Sequence, residues 1–376
     1  MALSLNFIIQ FIMNFDNLEF HNVAELVTLE NSKGLRLQRL TESLRQQINE
    51  GTAGCMTSPA NSEIRFRLGE GCESAIIRLA SEQGAWAYIF HGPFQGVAVT
   101  IEKEVQEIEI KPHPRLGLLS QEQIESLDYH PELIRICFGD AYPEIVTYHG
   151  HNGNVRLPEE GEIPKQRYVA YGSSITHGIR LSGAALSYPA HVAYKLGLDL
   201  TNLGASGCCL CEPAMADHLA SLPCELMTLE LSVNMLGSGF TAEEFKERAH
   251  DLVKKVSDAD PTRPVVCITI FTHFNDMGEE LISPKLKATP EEYREVLRNI
   301  VKELNRPNLF LVEGPELLSN LAGMFKDLIH PGARGMIDIG ENLVKKISQM
   351  PFMKEGDPSS FCLERQESEF NRKKIS

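Results

Sequence analysis

The sequence lacks the features of several protein classes, and these absences narrow its function before any motif is considered. Its apolar segment at residues 2–15 is shorter than the about 20 apolar residues that cross a bilayer. With 43% apolar and 23% charged residues, the composition is that of a globular chain rather than of a membrane bundle or a disordered one. Positive charge is in deficit, since 36 Lys and Arg stand against 51 Asp and Glu, a net charge of −15. That balance repels a phosphate backbone on average, so nucleic-acid binding is disfavoured.

Signals for export and for a disulfide framework are also missing. No Lys or Arg precedes the apolar segment, Asn6, Gln10 and Asn14 interrupt it, and no small-x-small cleavage site follows it. The nine cysteines are an odd number and most of them stand singly, which is typical of reduced thiols. We therefore expect a cytoplasmic protein that does not bind a membrane, and the sequence is compatible with a homo-oligomer.

Residues 1–152 are predicted to form an all-β domain. Apolar and polar residues alternate in short runs, and Gly, Pro, Asn and Ser separate the runs at residues 64–68, 86–90, 97–101 and 108–110. This period of two is typical of an antiparallel β-sandwich, which we expect to be jelly-roll-like. The single tryptophan, Trp86, is predicted to lie in its core, in preference to stacking on a sugar. A polar segment containing Pro158 and Pro164 is interpreted as a linker at residues 153–166.

Residues 167–350 instead alternate short apolar runs with amphipathic helices. The predicted strands lie at Tyr168–Tyr171, Leu198–Leu203, Leu226–Leu231, Val265–Phe271 and Leu309–Val312. Two helices have clear start signals, a capping box at Thr241 and another at Thr289 followed by proline. Repeated β-α units predict an α/β domain of three layers, α/β/α, with a parallel sheet in the middle. Reactive groups in such sheets gather at the carboxyl ends of the strands. A polar tail is predicted at 351–376.

Two motifs that follow predicted strands carry a hydroxyl and a base. In Tyr171–Gly178, glycines bracket serines, which permits a tight strand-to-helix turn that presents a hydroxyl, although a simple Gly/Ser turn has the same pattern. In the second motif, Asp327 precedes His330 by three residues. A serine hydroxyl needs a base, imidazole titrates near neutral pH, and a carboxylate can orient it. His177 lacks an obvious acid partner, so His330 is preferred as the base.

Two further motifs could supply hydrogen-bond donors. Gly207 follows the second strand and Asn234 the third; a lone Asn is more often a turn or cap residue. The cluster Cys208, Cys209 and Cys211 has no second Cys or His pair at zinc spacing, so small packing residues are expected there rather than a metal site. His273, Asn275 and Asp276 follow the fourth strand and are predicted to rim the pocket.

In their order along the chain, these motifs resemble the four blocks of the SGNH (GDSL-like) hydrolase family over about residues 166–350. Asp-x-x-His-Pro is the most specific of them. The resemblance implies an SGNH hydrolase domain with Ser174 as nucleophile, His330 as general base and Asp327 orienting the base. It further implies an oxyanion hole formed by the Ser174 N–H, the Gly207 N–H and the Asn234 side chain. No cofactor and no metal ion are expected.

Two departures from the family pattern indicate a subgroup. Gly-Asp-Ser is replaced by Gly172-Ser173-Ser174, and Gly-x-Asn-Asp by Ser232-Val233-Asn234-Met235; neither change removes a group with a chemical role. The resulting pattern, Gly-Ser-Ser-Ile-Thr-x-Gly, resembles esterases and acyltransferases that act on carbohydrates or small natural products and carry a β-sandwich ahead of the catalytic domain. The segment Phe20–Leu26 is similar to the start of that sandwich in acyltransferases that transfer a salicylyl group.

The function expected from this resemblance is hydrolysis of short-chain acyl esters, such as acetyl esters, of carbohydrates or small molecules through an acyl-enzyme at Ser174. An acyltransferase that uses the same acyl-enzyme, and a carbohydrate-binding protein without catalysis, are the alternatives. A long-chain lipase is disfavoured because the sequence shows no amphipathic lid helix suited to an interface.

Overall fold

The computed structural model describes residues 12–29, 34–139, 145–179, 181, 183–231, 233–278 and 285–353. Three sheets organise these residues: two antiparallel sheets in the N-terminal part and one parallel sheet in the C-terminal part. Most of the predicted tail, and Ser232, lie outside the described ranges. None of the helices within them combines the length and the apolar composition that a membrane span requires.

The two antiparallel sheets contain the first twelve described strands. These are β1 (Ile12–Phe15), β2 (Leu18–His21), β3 (Glu25–Thr28), β4 (Leu35–Gln38), β5 (Glu63–Leu68), β6 (Ala75–Ala80), β7 (Ala85–His91), β8 (Phe94–Ile101), β9 (Gln106–Ile110), β10 (Ile134–Phe138), β11 (Thr147–Asn152) and β12 (Val155–Arg156). One sheet has the order β1-β2-β5-β10-β7-β8, and the other has the order β3-β4-β11-β6-β9. β12 pairs with β5, so the beginning of the segment predicted as a linker adds to the first sheet. Three short helices connect the strands: α1 (Glu42–Arg45), α2 (Glu50–Cys55) and α3 (Gln121–Glu125).

One apolar cluster contains residues of both antiparallel sheets. Ile64 and Phe66 of β5 are buried in it as the alternation predicts, together with Ile77 of β6. The prediction for Trp86 is wrong, because its side chain is 53% exposed. The inward positions of β7 are taken by small or aliphatic residues, Ala85, Ala87 and Ile89, and the aromatic face points outward.

The parallel sheet confirms all five predicted strands of the C-terminal part. They are β13 (Arg167–Gly172), β14 (Asp199–Gly204), β15 (Leu226–Glu230), β16 (Val265–Ile268) and β17 (Leu309–Val312), in the order β14-β13-β15-β16-β17 with every pair parallel. The helices are α4 (Ser174–His177), α5 (Tyr188–Leu196), α6 (Pro213–Ser221), α7 (Val233–Gly237), α8 (Ala242–Ala259), α9 (Pro290–Leu304), α10 (Gly314–Leu317) and α11 (Ala333–Ile347).

Helices cover both faces of the parallel sheet. α6, α8 and α9 contribute to the apolar cluster on one face, and α5 and α11 contribute to the cluster on the other. α8 and α9 begin with the predicted capping boxes, at Thr241 and Thr289. The α/β class predicted for this part of the chain is therefore confirmed.

A buried ion cluster joins the two parts. Arg65 of β5 donates to both carboxylate oxygens of Asp199 at the start of β14, at 2.6 and 2.9 Å. Its remaining N–H groups reach Glu63 at 2.6 Å and Glu19 at 3.2 Å. The arginine is only 1% exposed, so these three carboxylates compensate its charge inside the protein. The polar face of β5 is thus covered by the C-terminal part.

Candidate active site

The turn between β13 and α4 places Ser174 at the carboxyl edge of the parallel sheet. β13 ends at Gly172, and the Ser173 hydroxyl caps α4 by accepting a hydrogen bond from the N–H of Ile175 at 3.1 Å. A Cβ at Gly172 would lie 2.2 Å from Thr176 Oγ1, so only glycine fits this turn. The turn therefore has the tight strand-to-helix geometry that the sequence motif predicts.

Ser174, His330 and Asp327 form a continuous chain of hydrogen bonds. Ser174 Oγ lies 2.8 Å from His330 Nε2, although 156 positions separate the two residues in sequence. His330 Nδ1 lies 2.8 Å from Asp327 Oδ2. An ionised carboxylate can only accept hydrogen bonds, so Nδ1 carries the ring proton and Nε2 is left to accept from the serine hydroxyl. This orientation is the one that a base acting on a serine requires.

The loop that carries Asp327 and His330 is held by the aspartate itself. Asp327 Oδ1 accepts hydrogen bonds from the N–H groups of Ile329 and His330, each at 3.0 Å. Leu328, which lies between Asp327 and Ile329, has a φ of 54°, a left-handed conformation that an L-residue adopts at a cost in free energy. Burial alone would raise the pKa of Asp327, but the hydrogen bonds from His330 and Ile329 outweigh it and lower that pKa. The carboxylate is therefore ionised at neutral pH.

Gly207 and Asn234 lie beside Ser174 in the same pocket. Gly207 has a φ of 76°, a conformation that favours glycine. The Oδ1 of Asn234 accepts a hydrogen bond from the N–H of Cys209 at 3.1 Å. That contact fixes the carboxamide and leaves its N–H₂ group as a donor. The structure thus brings all five sequence-predicted site residues together.

The pocket around these residues has a volume of about 510 Å³. His273 and Asn275 line it, as predicted, whereas Asp276 does not, because its carboxylate pairs with Arg294. In the described ranges no group of three or more His, Cys, Asp and Glu side chains is placed to hold a metal ion. The pocket is therefore built from serines, amides, imidazoles and apolar side chains.

His177, Cys209 and Cys211 serve as packing rather than as pocket groups, whereas Cys208 is only partly buried. His177 is fully buried, and its Nδ1 lies 3.1 Å from the Gly204 carbonyl oxygen. Burial and the nearby Arg39 lower its pKa well below the ordinary value. Cys209 and Cys211 are buried in the apolar cluster, as expected for small packing residues.

Residues of the N-terminal part hold the loop that carries Gly207. The fully buried Arg39 donates to the carbonyls of Asn202 and Gly204, at 3.0 and 3.1 Å. Thr52 donates to the carbonyl of Cys208 at 2.6 Å, at the other end of the loop. The N-terminal part thus supports the pocket without lining it in the described residues. This support was not predicted from the sequence.

Glu230 is a second feature that sequence reasoning missed. It ends β15 directly beneath the serine turn, and its Oε2 accepts hydrogen bonds from the N–H of Ser173, at 2.7 Å, and from its hydroxyl, at 2.6 Å. A third hydrogen bond comes from Thr176 at 3.1 Å. Burial raises the pKa of Glu230 to about 7, although these hydrogen bonds oppose the rise. A carboxylate at the end of a strand buried on both faces was the signal that could have identified it.

Replacing Glu230 with glutamine is expected to change how stability depends on pH. The pKa of Glu230 in the folded state, about 7, lies above its ordinary value of 4.5, so its contribution is full below pH 4.5 and is lost as the pH rises through 7. Between pH 4.5 and pH 7, the free energy of unfolding should therefore fall by about 3 kcal/mol because of Glu230. Urea denaturation at pH 5, 6, 7 and 8 should therefore show that the free energy of unfolding of the wild type falls, relative to that of Glu230→Gln, as the pH rises. A constant difference between the two proteins would contradict the assignment.

Taken together, the sheet order and the hydroxyl–imidazole–carboxylate chain define an α/β domain of the SGNH hydrolase kind. Residues 165–348 match the model of the GDSL-like Lipase/Acylhydrolase family. This part of the chain belongs to that family.

Solved structures with the same overall fold span both parts of the chain. A salicylyl-acyltransferase, SsfX3, from a tetracycline biosynthetic pathway aligns with a TM-score of 0.68 at 17% identity, covering 88% of this chain and 94% of that one. A putative GDSL-like lipase from Bacteroides ovatus aligns with a TM-score of 0.60 at 18% identity, covering 83% and 91%. A family two carbohydrate esterase from Clostridium thermocellum aligns with a TM-score of 0.55 at 15% identity, covering 77% of this chain and 93% of that one. No curated protein matches the chain by sequence.

Proposed function

We propose that the protein is a serine esterase that hydrolyses short-chain acyl esters of carbohydrates or other small molecules. The observation that carries this proposal is the hydrogen-bonded chain from Ser174 through His330 to Asp327 at the edge of a pocket. A serine hydroxyl is a weak nucleophile unless a base takes its proton, and this arrangement supplies that base.

In the first half of the reaction, Ser174 Oγ attacks the ester carbonyl carbon while His330 Nε2 takes the hydroxyl proton. Asp327 accepts from Nδ1 and stabilises the imidazolium that forms. The oxyanion of the tetrahedral intermediate accepts hydrogen bonds from the N–H groups of Ser174 and Gly207 and from the Asn234 amide. His330 then protonates the leaving alcohol, and the acyl group remains on Ser174.

In the second half, water replaces the alcohol. His330 takes a proton from the water as its oxygen attacks the acyl carbon, and the same donors hold the second oxyanion. Collapse of this intermediate returns the proton from His330 to Ser174 Oγ and releases the carboxylic acid. The enzyme is restored without a cofactor.

The proposal extends to the organisation of the chain. We propose that residues 1–152 form a jelly-roll-like β-sandwich domain, that 153–166 connect it to the catalytic domain at 167–350, and that the protein works in the cytoplasm. The shared apolar cluster of the two antiparallel sheets supports the sandwich. The carbohydrate esterase and the acyltransferase among the similar structures cover both parts of the chain, which supports one substrate-processing unit.

Labelling with a fluorophosphonate tests the nucleophile directly. The reagent should modify the native protein once, and peptide mass spectrometry should place the adduct on Ser174, with hydrolysis of p-nitrophenyl acetate lost in proportion. A chain that binds glycans saturably but takes up no label would be a carbohydrate-binding protein instead.

Replacing Asn234 with alanine is expected to lower kcat for p-nitrophenyl acetate by about 10²–10³-fold, because one oxyanion donor is lost. Asn234→Asp should lose as much, since it keeps the acceptor for Cys209 but removes the donor. The exposed Asn299, which pairs with Glu295 on α9, provides the control Asn299→Ala, which should leave kcat unchanged. An Asn234→Ala enzyme of normal kcat would remove this residue from the oxyanion hole.

Acyl transfer is the second candidate, because the salicylyl-acyltransferase aligns with 88% of this chain. A transferase would pass the acyl group of Ser174 to an acceptor alcohol faster than to water. Products formed with and without an added sugar or alcohol, measured by chromatography, separate the two activities. A dominant new ester would favour transfer, and free acid at an unchanged rate would favour hydrolysis.

A further inference from the structure

The pocket beside Ser174 contains a second imidazole and a second carboxamide, which the proposed reaction does not use. His273 and Asn275 lie in the loop after β16, and both line the pocket although they are only 6% and 8% exposed. Polar groups buried to this extent normally have hydrogen-bond partners. A buried donor that has no partner in the protein therefore indicates what the pocket is built to hold.

The imidazole of His273 presents a donor to the pocket. Its Nδ1 accepts a hydrogen bond from the N–H of Asn275 at 3.2 Å. Burial lowers the pKa of His273 to about 4, so the ring is neutral and its single proton lies on Nε2. Within the described residues this N–H finds no acceptor.

The carboxamide of Asn275 presents a second donor. It makes no hydrogen bond to any described residue, and its Oδ1 is buried away from solvent. Because Oδ1 is the buried end, we assign the N–H₂ group to the end that faces the pocket. His273 and Asn275 are two positions apart, so the two donors belong to one short turn.

That turn is held rigidly against the loop of the base. Asp276 accepts the N–H of His273 at 2.9 Å, and Arg294 donates to both oxygens of Asp276, at 2.9 and 2.7 Å. The N–H of Phe274 donates to the carbonyl of Leu328 at 2.9 Å. The two donors are thus fixed relative to His330, which pre-organises them for a ligand.

The chemistry of the pocket restricts what these donors can bind. Among the described residues that line it there is no Lys, Arg, Asp or Glu. A carboxylate or phosphate ligand would enter without a cation to pair with, which is costly in a partly buried site. A neutral oxygen with lone pairs, as in an ether, a hydroxyl or a second carbonyl, satisfies two neutral donors.

We propose that His273 Nε2–H and the Asn275 N–H₂ group bind an uncharged oxygen acceptor that the substrate carries in addition to its scissile ester. This inference rests on the proposed esterase function and narrows its substrates to oxygen-rich, uncharged esters. The oxygen can belong to the alcohol portion or to the acyl portion, and matched esters distinguish the two.

The test compares esters that differ only by an oxygen in place of a methylene. On the alcohol side the pair is 2-methoxyethyl acetate and butyl acetate; on the acyl side it is ethyl 3-methoxypropanoate and ethyl pentanoate. In one of the two pairs, the one whose extra oxygen contacts the donors, the wild-type kcat/KM should be at least about 10-fold higher for the ester that contains the oxygen. Because an ether cannot donate, the preference reports donors on the protein.

Asn275→Leu, which is nearly isosteric, should reduce the oxygen-to-methylene ratio of kcat/KM about 10-fold. A ratio measured on one preparation does not depend on the fraction of folded enzyme. Asn299→Leu, on the exposed face of α9, is the control and should keep the wild-type ratio. His273→Phe should act in the same direction as Asn275→Leu.

Equal kcat/KM within both pairs for the wild type would overturn the donor pair and leave the esterase in place, provided that fluorophosphonate still labels Ser174. A wild-type preference that survives Asn275→Leu and His273→Phe would also overturn it. Hydrolysis of none of the esters, with no labelling of Ser174, would overturn both proposals.

Discussion

Replacing Ser174 with alanine is expected to lower kcat for p-nitrophenyl acetate by about 10⁶-fold, to a rate that the remaining donors and substrate binding sustain. The substitution removes the oxygen that forms the acyl-enzyme, so the two-step route is closed. His330→Ala should cost nearly as much, because the hydroxyl then has no base within reach. The double variant should be no worse than either single one, since the two groups act as a unit.

The matched control is Ser221→Ala, an exposed serine that donates to the carbonyl of His218 at the end of α6. Its kcat should equal that of the wild type. Initial rates must be measured with enough enzyme to detect residual activity, and circular dichroism should show all variants folded. A Ser174→Ala enzyme that retains a tenth of the wild-type kcat would remove Ser174 as the nucleophile.

The placement of these residues was predictable because the signals are local. A buried strand followed by a glycine turn places a side chain at the carboxyl end of that strand. In a parallel sheet the carboxyl ends of all strands lie along the same edge. Ser174, Gly207 and Asn234 each follow one strand, and the structure brings them to one pocket with His330. The spacing of Asp327 and His330 likewise anticipated their hydrogen bond.

The contacts between the two parts of the chain could not be predicted in this way. The alternation in β5 assigns Ile64 and Phe66 to one face and Arg65 to the other, and it says nothing about what covers the second face. Arg65 is buried because β14 begins there with Asp199, more than a hundred positions later. Trp86, on the outer face of β7, shows the opposite error, in which a large aromatic side chain was assigned to the core.

Replacing Arg65 with methionine is expected to destabilise the protein by about 3–5 kcal/mol, because it leaves the buried Asp199 carboxylate without the arginine that pairs with it. Burial alone would raise the pKa of Asp199, but the charge of Arg65 outweighs it and keeps that pKa below its ordinary value. Without the arginine, Asp199 retains only weaker partners, such as the Tyr129 hydroxyl at 3.2 Å. The free energy of unfolding from urea titrations measures the loss.

The loss should itself depend on pH. In the wild type, the contribution of Asp199 to the free energy of unfolding is constant above the pKa that Asp199 has in the unfolded chain, about 3.9. That contribution is lost only as the pH falls through the lower pKa that Asp199 has in the folded protein. In Arg65→Met, burial should raise the pKa of Asp199, and stability is then lost as the pH rises. The deficit of the variant should therefore be larger at pH 8 than at pH 5.

Two comparisons separate charge burial from simple loss of packing. Arg78→Ala removes an arginine of β6 that pairs with the exposed Glu107 of β9. This change should lower the free energy of unfolding by no more than about 1 kcal/mol. Adding Asp199→Leu to Arg65→Met should recover part of the loss, because the uncompensated carboxylate is then gone. If the double variant is as unstable as the sum of the single ones, the pair is not coupled. The arginine would then stabilise the junction through packing alone, and the pH dependence of the deficit should vanish with it.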